Sequence, residues 1–165
     1  MILGLMSDTH DRLDRIDKAV EFFNSQKLNY VLHAGDYIAP FTVKVLSRLN
    51  MPMIGVFGNN DGEKKGLLEK FKGFADVYES PHFFELKGYK IALMHAPYRL
   101  DDYSKSCRLV VYGHTHKTDI KIVNECVIVN PGETCGYITG KSTVCTVDIR
   151  TVSYTHLTLP TKRIV

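Results

Sequence analysis

Short apolar segments that end abruptly in polar residues recur along this chain, and this alternation restricts its fold more than any other feature. Residues 2–6, 30–33 and 53–57 are strand-sized apolar segments, and amphipathic segments at 14–26 and 41–49 separate them. The first amphipathic segment carries apolar side chains at the spacing of one helix face, with Asp14 as its predicted N-cap. Pro40 is well placed at the start of the second. The pattern predicts a β-α-β-α-β first half.

The second half of the chain has a different rhythm. After a predicted helix at 62–72, strands are predicted at 83–86, 90–94, 108–112, 119–123, 127–130 and 143–150. A βαβ half followed by a strand-rich half indicates an α/β fold in which two sheets pack together, with helices outside. No linker or repeat interrupts the chain, so the change near residue 80 lies inside one domain.

Composition and charge argue against several classes of protein. Hydrophobic residues make up 44% and charged residues 24% of the chain, as in globular proteins. No apolar run approaches the ~18 residues of a membrane span, and the N-terminus lacks a basic leader, so we expect a cytoplasmic protein without a membrane partner. The four cysteines have irregular spacings without a C-x-x-C pair, which predicts reduced thiols. A net charge of +3 without a run of like charges gives no nucleic-acid footprint.

The C-terminal segment has an unusual sequence. Residues 152–161 resemble one reading frame of the transposon-end adapter used to prepare DNA sequencing libraries. We therefore expect the native sequence to extend only to about residue 150, giving a single domain over 1–150 and a non-native tail over 151–165. The alternative is a genuine Thr-rich C-terminal strand, which the composition permits. Resequencing the source locus with another library chemistry would distinguish the two.

Side chains that can bind metals follow the ends of five predicted strands. They are Asp8, His10, Asp36, Asn59, His95, His114 and His116. Each piece alone has an ordinary explanation, such as a turn or a core histidine. Five such pieces in order at five strand ends are hard to attribute to chance, and strand ends at one sheet edge are where open α/β folds place their sites.

The donor types agree with one another. Four imidazoles, two carboxylates and one amide suit divalent Mn²⁺, Fe²⁺, Ni²⁺ or Zn²⁺, and the lack of a thiolate argues against a structural zinc or an iron–sulfur cluster. Seven donors exceed the need of one tetrahedral ion and suit two ions ~3.5–4 Å apart with a shared carboxylate. The net charge of such a site would be about +1, because two divalent ions bring +4 while two carboxylates and a bridging hydroxide bring −3. This positive charge indicates an anionic substrate.

These motifs resemble those of the calcineurin-like metallophosphoesterases, whose pattern is D-x-H, G-D, G-N-H-D/E, a later His and G-H-x-H. The small bacterial and archaeal phosphodiesterases of that superfamily are most similar, over residues 1 to about 150. The resemblance implies an α/β/β/α four-layer sandwich of two mixed sheets with helices outside. It also implies a first ion at Asp8, His10 and His116, a second at Asn59, His95 and His114, and Asp36 bridging the two.

The resemblance implies a dinuclear metal-dependent phosphodiesterase, with Mn²⁺ as the first expectation for the two divalent ions. A metal-bridging hydroxide would attack phosphorus in a small phosphate-ester substrate. Two alternatives stay open: a phosphomonoesterase, and a metal-poor protein-binding scaffold of the same fold. The sequence also leaves a homodimer open.

Several residues depart from the family pattern or flank it. Asn60 stands where many relatives have a histidine, and it can donate a hydrogen bond but no proton, so we expect modest rates. Asp61 loses the histidine that it would orient and is expected to support neighbouring residues instead. Glu133 stands where relatives often carry Ser and is expected to place an acid near the substrate. His33 is expected in the core, and residues 130–132 resemble the family's closing loop.

Overall fold

Two β-sheets pack face to face in the computed structural model, which describes residues 1–160. The strands are β1 (Ile2–Met6), β2 (Tyr30–His33), β3 (Met53–Val56), β4 (Ala75–Tyr78), β5 (His82–Leu86), β6 (Tyr89–Leu93), β7 (Leu109–Val111), β8 (Thr118–Val123), β9 (Cys126–Pro131), β10 (Thr143–Asp148) and β11 (Ser153–Thr158). The helices are α1 (Leu13–Ser25), α2 (Val43–Leu46), α3 (Lys64–Phe71) and α4 (Leu100–Tyr103), and a 3-10 turn, Pro40–Thr42, precedes α2.

Both sheets are mixed. The first has the order β11-β10-β1-β2-β3-β4, in which β1 to β4 are parallel and β10 and β11 add antiparallel pairs. The second has the order β5-β6-β7-β9-β8, with β6, β7 and β9 parallel and antiparallel strands at both edges. Parallel neighbours end at the same edge of a sheet, so the segments after β1, β2 and β3 leave the first sheet side by side, as do those after β6 and β7 in the second.

Three apolar clusters separate the layers, which confirms the predicted α/β/β/α arrangement. One lies between α1, α2, α3 and the first sheet, and a second fills the space between the sheets. On β7, Leu109 and Val111 point into the second cluster, whereas Val110 faces a third cluster that Leu100 and Tyr103 of α4 cover. Because successive strand residues point to opposite faces, a strand buried on both sides has a continuous apolar run. Within residues 1–160, no helix has both the length and the hydropathy that crossing a membrane requires.

Some local predictions were wrong. Asp14 is not the N-cap of α1: Arg12 occupies that position without a side-chain cap, and Asp14 lies in the first turn. The second helix is shorter than the predicted 41–49, since its first turn is 3-10. Strand β4 was missed because Val77 is its only buried residue, which leaves no apolar run in the sequence. The four-residue α4 was also missed.

The tail includes a strand. Its β11 pairs with β10 in antiparallel register from Ser153 opposite Asp148 to Thr158 opposite Thr143. Leu159 is buried, and residues 161–165 lie outside the described residues. The foreign origin of 151–165 stays a prediction, because a strand of either origin can pair with β10 through its backbone.

The four cysteines are unpaired, and burial separates them into two classes. Cys126, Cys135 and Cys145 are buried, whereas Cys107 is half-buried. Burial raises the pKa of Cys126 to about 11 and that of Cys145 to about 12. We expect 5,5′-dithiobis(2-nitrobenzoate) at about pH 8 to titrate one thiol rapidly in the native protein and the other three only after unfolding, because the thiolate is the reactive form. Cys107→Ser should remove the rapid phase, and a second fast thiol in the native protein would contradict this assignment.

Candidate metal centre

Seven donor side chains converge where β1, β2, β3, β6 and β7 end. They are the predicted ones: Asp8 and His10 after β1, Asp36 after β2, Asn59 after β3, His95 after β6, and His114 and His116 after β7. Their contacts divide them into two groups that meet at Asp36.

The first group contains His10 and His116, whose rings stack with centroids 5.2 Å apart. Nε2 of His10 lies 3.4 Å from Asp36 Oδ2 and 4.0 Å from Asp8 Oδ1, and Nε2 of His116 lies 3.6 Å from Asp8 Oδ1. His10 Nε2 is buried, yet it has no hydrogen-bond partner among residues 1–160. A buried ring nitrogen left without a partner beside two carboxylates fits a cation between them.

The second group shows the same mismatch more sharply. His95 Nδ1 lies 2.8 Å from the carbonyl oxygen of Ala34, to which it can only donate, so in the neutral ring Nε2 is an acceptor. That nitrogen faces another acceptor, Asn59 Oδ1, at 2.8 Å. Nδ1 of His114 lies 3.0 Å from the same oxygen and 3.3 Å from His95 Nε2. The lone pairs of His95 Nε2 and Asn59 Oδ1 therefore oppose each other, and His114 Nδ1 adjoins both, an arrangement that fits a shared cation.

Asp36 lies between the groups. Its Oδ2 is 3.4 Å from His10 Nε2 and 3.5 Å from His95 Nε2. Asn60 contacts this same carboxylate, since its Nδ2 donates to Oδ2 at 2.8 Å and its backbone N donates to Oδ1 at 3.0 Å. The hydrogen bond expected from Asn60 is therefore made to Asp36.

The backbone at the donors is strained. Positive φ angles are rare for residues other than glycine, but five of the seven donors adopt them: Asp8, His10, Asp36, His114 and His116. Such strain concentrates at functional sites, where surrounding contacts hold it in place. Two of the glycines that precede donors have identifiable reasons. Gly35 has a φ angle of +95°, and a side chain at Gly58 would overlap Asp36.

Buried polar side chains hold the donor loops. Asp61 accepts hydrogen bonds from the backbone N–H groups of Asp36, Ile38 and Gly58, at 3.1, 2.8 and 2.7 Å. The buried His33 ring stacks on Tyr37 and accepts from the Gly35 backbone at 3.1 Å, and burial holds its pKa well below the usual value, so it is neutral. Both residues support the loop of Asp36.

Asn130 has a similar role on the other sheet. Its Nδ2 donates to the carbonyl oxygen of Gly113 at 3.0 Å and to Thr115 Oγ1 at 2.9 Å. It thereby fixes the turn that carries His114 and His116, which gives the predicted closing loop a physical basis.

The expectation for Glu133 was wrong. This side chain is fully buried, so it places no acid near a substrate; its Oε2 accepts from His116 Nδ1 at 2.8 Å. Burial opposes its ionisation, but hydrogen bonds from His116, Thr139 and Ile138 outweigh burial and lower its pKa to about 2. The charged carboxylate thus lies at the Nδ1 side of the His116 ring, whereas Nε2 faces Asp8.

Three residues near the site were missed from the sequence. Tyr137 is 59% exposed, with its ring centroid 6.5 Å from that of His10, and the Arg12 guanidinium lies 5.0 Å from the Tyr137 ring centroid. Cys135 lies close to His10 and His116, but its S–H donates to Glu133 and burial raises its pKa to about 12, so it stays protonated. Arg12 and Tyr137 each lie six residues after a strand and Cys135 lies four after one, but none of them belongs to the D-x-H, G-D, G-N or G-H-x-H motifs that identified the donors.

A cavity of about 350 Å³ adjoins His116. Its lining includes Lys117, Lys141, Thr118 and Thr139. The side chains beside the donors are therefore polar, and two of them are positively charged. The cavity offers room for a bound molecule next to the donors.

Comparisons with known proteins agree with this geometry. A model of the calcineurin-like phosphoesterase superfamily domain matches residues 1–152. A phosphodiesterase of Methanocaldococcus jannaschii is 36% identical over 165 residues, covering 96% of this chain and 99% of that protein. The solved structure of an archaeal phosphodiesterase superposes with a TM-score of 0.89 at 35% identity, covering 96% of this chain and 100% of that one. Vps29 of Entamoeba histolytica, solved with zinc, has a TM-score of 0.70 at 20% identity, covering 99% and 95% of the two chains, and shows the shared fold.

Proposed function

The chain belongs to the calcineurin-like phosphoesterase superfamily, and we propose that it is a metal-dependent phosphodiesterase that hydrolyses a small phosphate ester. One observation carries the proposal: two groups of side chains meet at Asp36, and in one of them two acceptor atoms, His95 Nε2 and Asn59 Oδ1, face each other at 2.8 Å. Without cations this arrangement leaves lone pairs opposed in a partly buried site, which is unfavourable.

We assign one divalent ion to each group. The first would be held by Asp8, His10 and His116, the second by Asn59, His95 and His114, and Asp36 would contact both. The distances from Asp36 Oδ2 to His10 and to His95, 3.4 and 3.5 Å, support a shared carboxylate because each leaves space for an ion near both atoms.

The residues around the ions would hold the reacting ester. When bound, two divalent ions supply Lewis acidity and an activated water for attack on a phosphoryl group. Asn60 orients Asp36 through two hydrogen bonds and brings an amide, with no transferable proton, to the mouth of the site. The polar cavity beside His116 would take the alcohol part of the substrate; residues 156–158 of β11 also line it, so its shape depends on the segment after residue 150. A chain without a proton donor at position 60 should favour esters with good leaving groups.

The metal and the compartment are also proposals. Three oxygen and four nitrogen donors without a thiolate favour Mn²⁺ first, with Ni²⁺, Fe²⁺ or Zn²⁺ as substitutes. The four unpaired cysteines support a reducing, cytoplasmic compartment.

Hydrolysis of bis-p-nitrophenyl phosphate by the full chain tests the proposal. Chelator-treated protein should be inactive, and Mn²⁺ should restore turnover by at least about 100-fold, because the ions supply several kcal/mol of transition-state stabilisation. Turnover should be faster than with p-nitrophenyl phosphate. Ni²⁺, Mg²⁺ and Zn²⁺ would be compared in parallel.

A pair of histidine variants provides the control. His95→Gln should abolish the metal-dependent rate, whereas His82→Gln, on β5 and stacked on Tyr78, should leave it unchanged. Folded protein that hydrolyses neither ester with any of these metals would favour the protein-binding scaffold. A preference for the monoester would favour a phosphomonoesterase.

A further inference from the structure

Glu133 is a fully buried carboxylate whose one ion-pair partner among residues 1–160 is the ring of His116. Five donor groups surround its two oxygens. They are His116 Nδ1 at 2.8 Å, Cys135 Sγ at 3.2 Å, the backbone N of Ile138 at 3.0 Å, and the backbone N and the Oγ1 of Thr139, the latter at 2.7 Å. A buried charge with this many fixed donors is held in one orientation.

The contact with Glu133 determines which nitrogen of His116 carries the proton. A carboxylate only accepts hydrogen bonds, so His116 must donate from Nδ1. In the neutral ring Nε2 then has a free lone pair, and this atom points toward Asp8 Oδ1 at 3.6 Å. Only this tautomer can offer Nε2 to an ion beside Asp8.

We propose that Glu133 is a positioning residue that holds His116 in the Nδ1–H form with Nε2 free to bind metal, and that it ties this ring to the loop of residues 136–140. The proposal rests on the proposed function in so far as His116 is a metal ligand. Carboxylates that accept from the remote nitrogen of a ligating histidine fix the ring and raise its basicity.

The same carboxylate positions the rim of the site. Its hydrogen bonds to the backbone of Ile138 and Thr139 fix the chain next to Tyr137. The centroid of the Tyr137 ring lies 6.5 Å from that of His10. The buried Glu133 carboxylate therefore holds both His116, a proposed ligand of the first ion, and the segment that carries the exposed Tyr137 ring.

Glu133→Gln isolates this role because it preserves shape. The new amide N–H₂ must replace one oxygen. On the Oε1 side the amide N–H₂ would face the backbone N–H of Thr139, which can only donate and cannot become an acceptor. On the Oε2 side it would face His116, which can change tautomer, while the backbone N–H of Ile138, 3.1 Å from Oε2, can still donate to Oε1 at 3.0 Å. We therefore expect the amide to donate to His116 Nδ1 and drive the proton to Nε2, where it blocks the ion.

Nuclear magnetic resonance of the metal-free protein reads the tautomer directly. Long-range ¹H–¹⁵N correlation spectra at alkaline pH, assigned with His116→Gln, should show the Nδ1–H form in the wild type and the Nε2–H form in Glu133→Gln. Glu79→Gln, an exposed residue paired with Lys64, should show the wild-type pattern. An Nε2–H form in the wild type would overturn the proposal without any variant.

Calorimetric titration with Mn²⁺ gives a second readout. Wild-type protein should bind two ions, and Glu133→Gln should bind one of them about 10–100-fold more weakly while the other is unchanged. Equal affinities in the two proteins would overturn the proposal. Two ions bound by a wild type that hydrolyses no ester would overturn the proposed function and leave the role of Glu133 intact.

Discussion

Asp36→Asn is expected to lower the turnover of bis-p-nitrophenyl phosphate about 1,000-fold and to remove at least one of two bound Mn²⁺ ions. Asp36 Oδ2 lies 3.4 Å from His10 Nε2 and 3.5 Å from His95 Nε2, so this carboxylate is within reach of a ring nitrogen in each of the two groups. Losing it removes a negative charge from both proposed ions, and about 4 kcal/mol of transition-state stabilisation corresponds to this factor. Steady-state kinetics and calorimetric stoichiometry measure the two effects.

The matched control is Asp102→Asn. Asp102 is half-exposed on α4 and pairs with Arg99 and Lys105 at the surface, so neither activity nor metal content should change. If Asp36→Asn kept two bound ions and a tenth of the wild-type rate, the proposal that Asp36 bridges the two ions would be contradicted.

The free energy of unfolding of the metal-free Asp36→Asn protein should show whether its loss of activity comes from lost metal binding or from misfolding. Asp8 and Asp36 are both buried, and the negative charge of Asp36 helps to raise the pKa of Asp8, after burial itself. Removing one charge relieves repulsion, while the new amide disturbs a hydrogen bond from Asn60, so the metal-free variant should lie within about 1 kcal/mol of wild type. Mn²⁺ at 100 times its dissociation constant should stabilise the wild type by about 2.7 kcal/mol for each ion bound, and the variant by much less.

The seven side chains selected from the sequence converge in the structure because the signal was positional. Each lies two to five residues after a strand, and the parallel arrangement of β1, β2 and β3 brings Asp8, Asp36 and Asn59 to one edge. The apolar runs that identified these strands exist because both faces are buried. The strand ends and the ligand chemistry were thus encoded in the same short segments.

What the sequence did not reveal depends on contacts between distant segments. Strand β4 has one buried residue, Val77, and it is a strand because β3 offers it an edge. Glu133 lies 17 positions from His116, and its burial behind that ring follows from the packing of β9 and its following loop against β7. The positive φ angles of Asp8 and His114 likewise result from the turns that the chain makes there, and they cannot be predicted from the residue types.

Gly58→Ala is expected to destabilise the protein by about 1–3 kcal/mol and to weaken metal binding at both positions. A Cβ at Gly58 would overlap Asp36 Oδ1 and lie 2.5 Å from the Asp36 backbone N and 2.8 Å from its Cγ. Asp61 already binds the backbones of both residues, so neither loop can move away without breaking these hydrogen bonds. The displacement therefore falls on the carboxylate that the two ions would share. Urea unfolding and Mn²⁺ titration measure the two effects.

Gly62→Ala is the matched control, four residues along the same loop. A Cβ there meets no atom within 4 Å, so stability should be unchanged or raised by up to about 1 kcal/mol through the smaller entropy of the unfolded chain. Equal metal affinity in Gly58→Ala and Gly62→Ala would show that the Asp36 loop adapts to a methyl group. In that case the close approach of Gly58 to Asp36 would be a matter of packing, and the placement of the bridging carboxylate would have to depend on Asp61 and Asn60 alone.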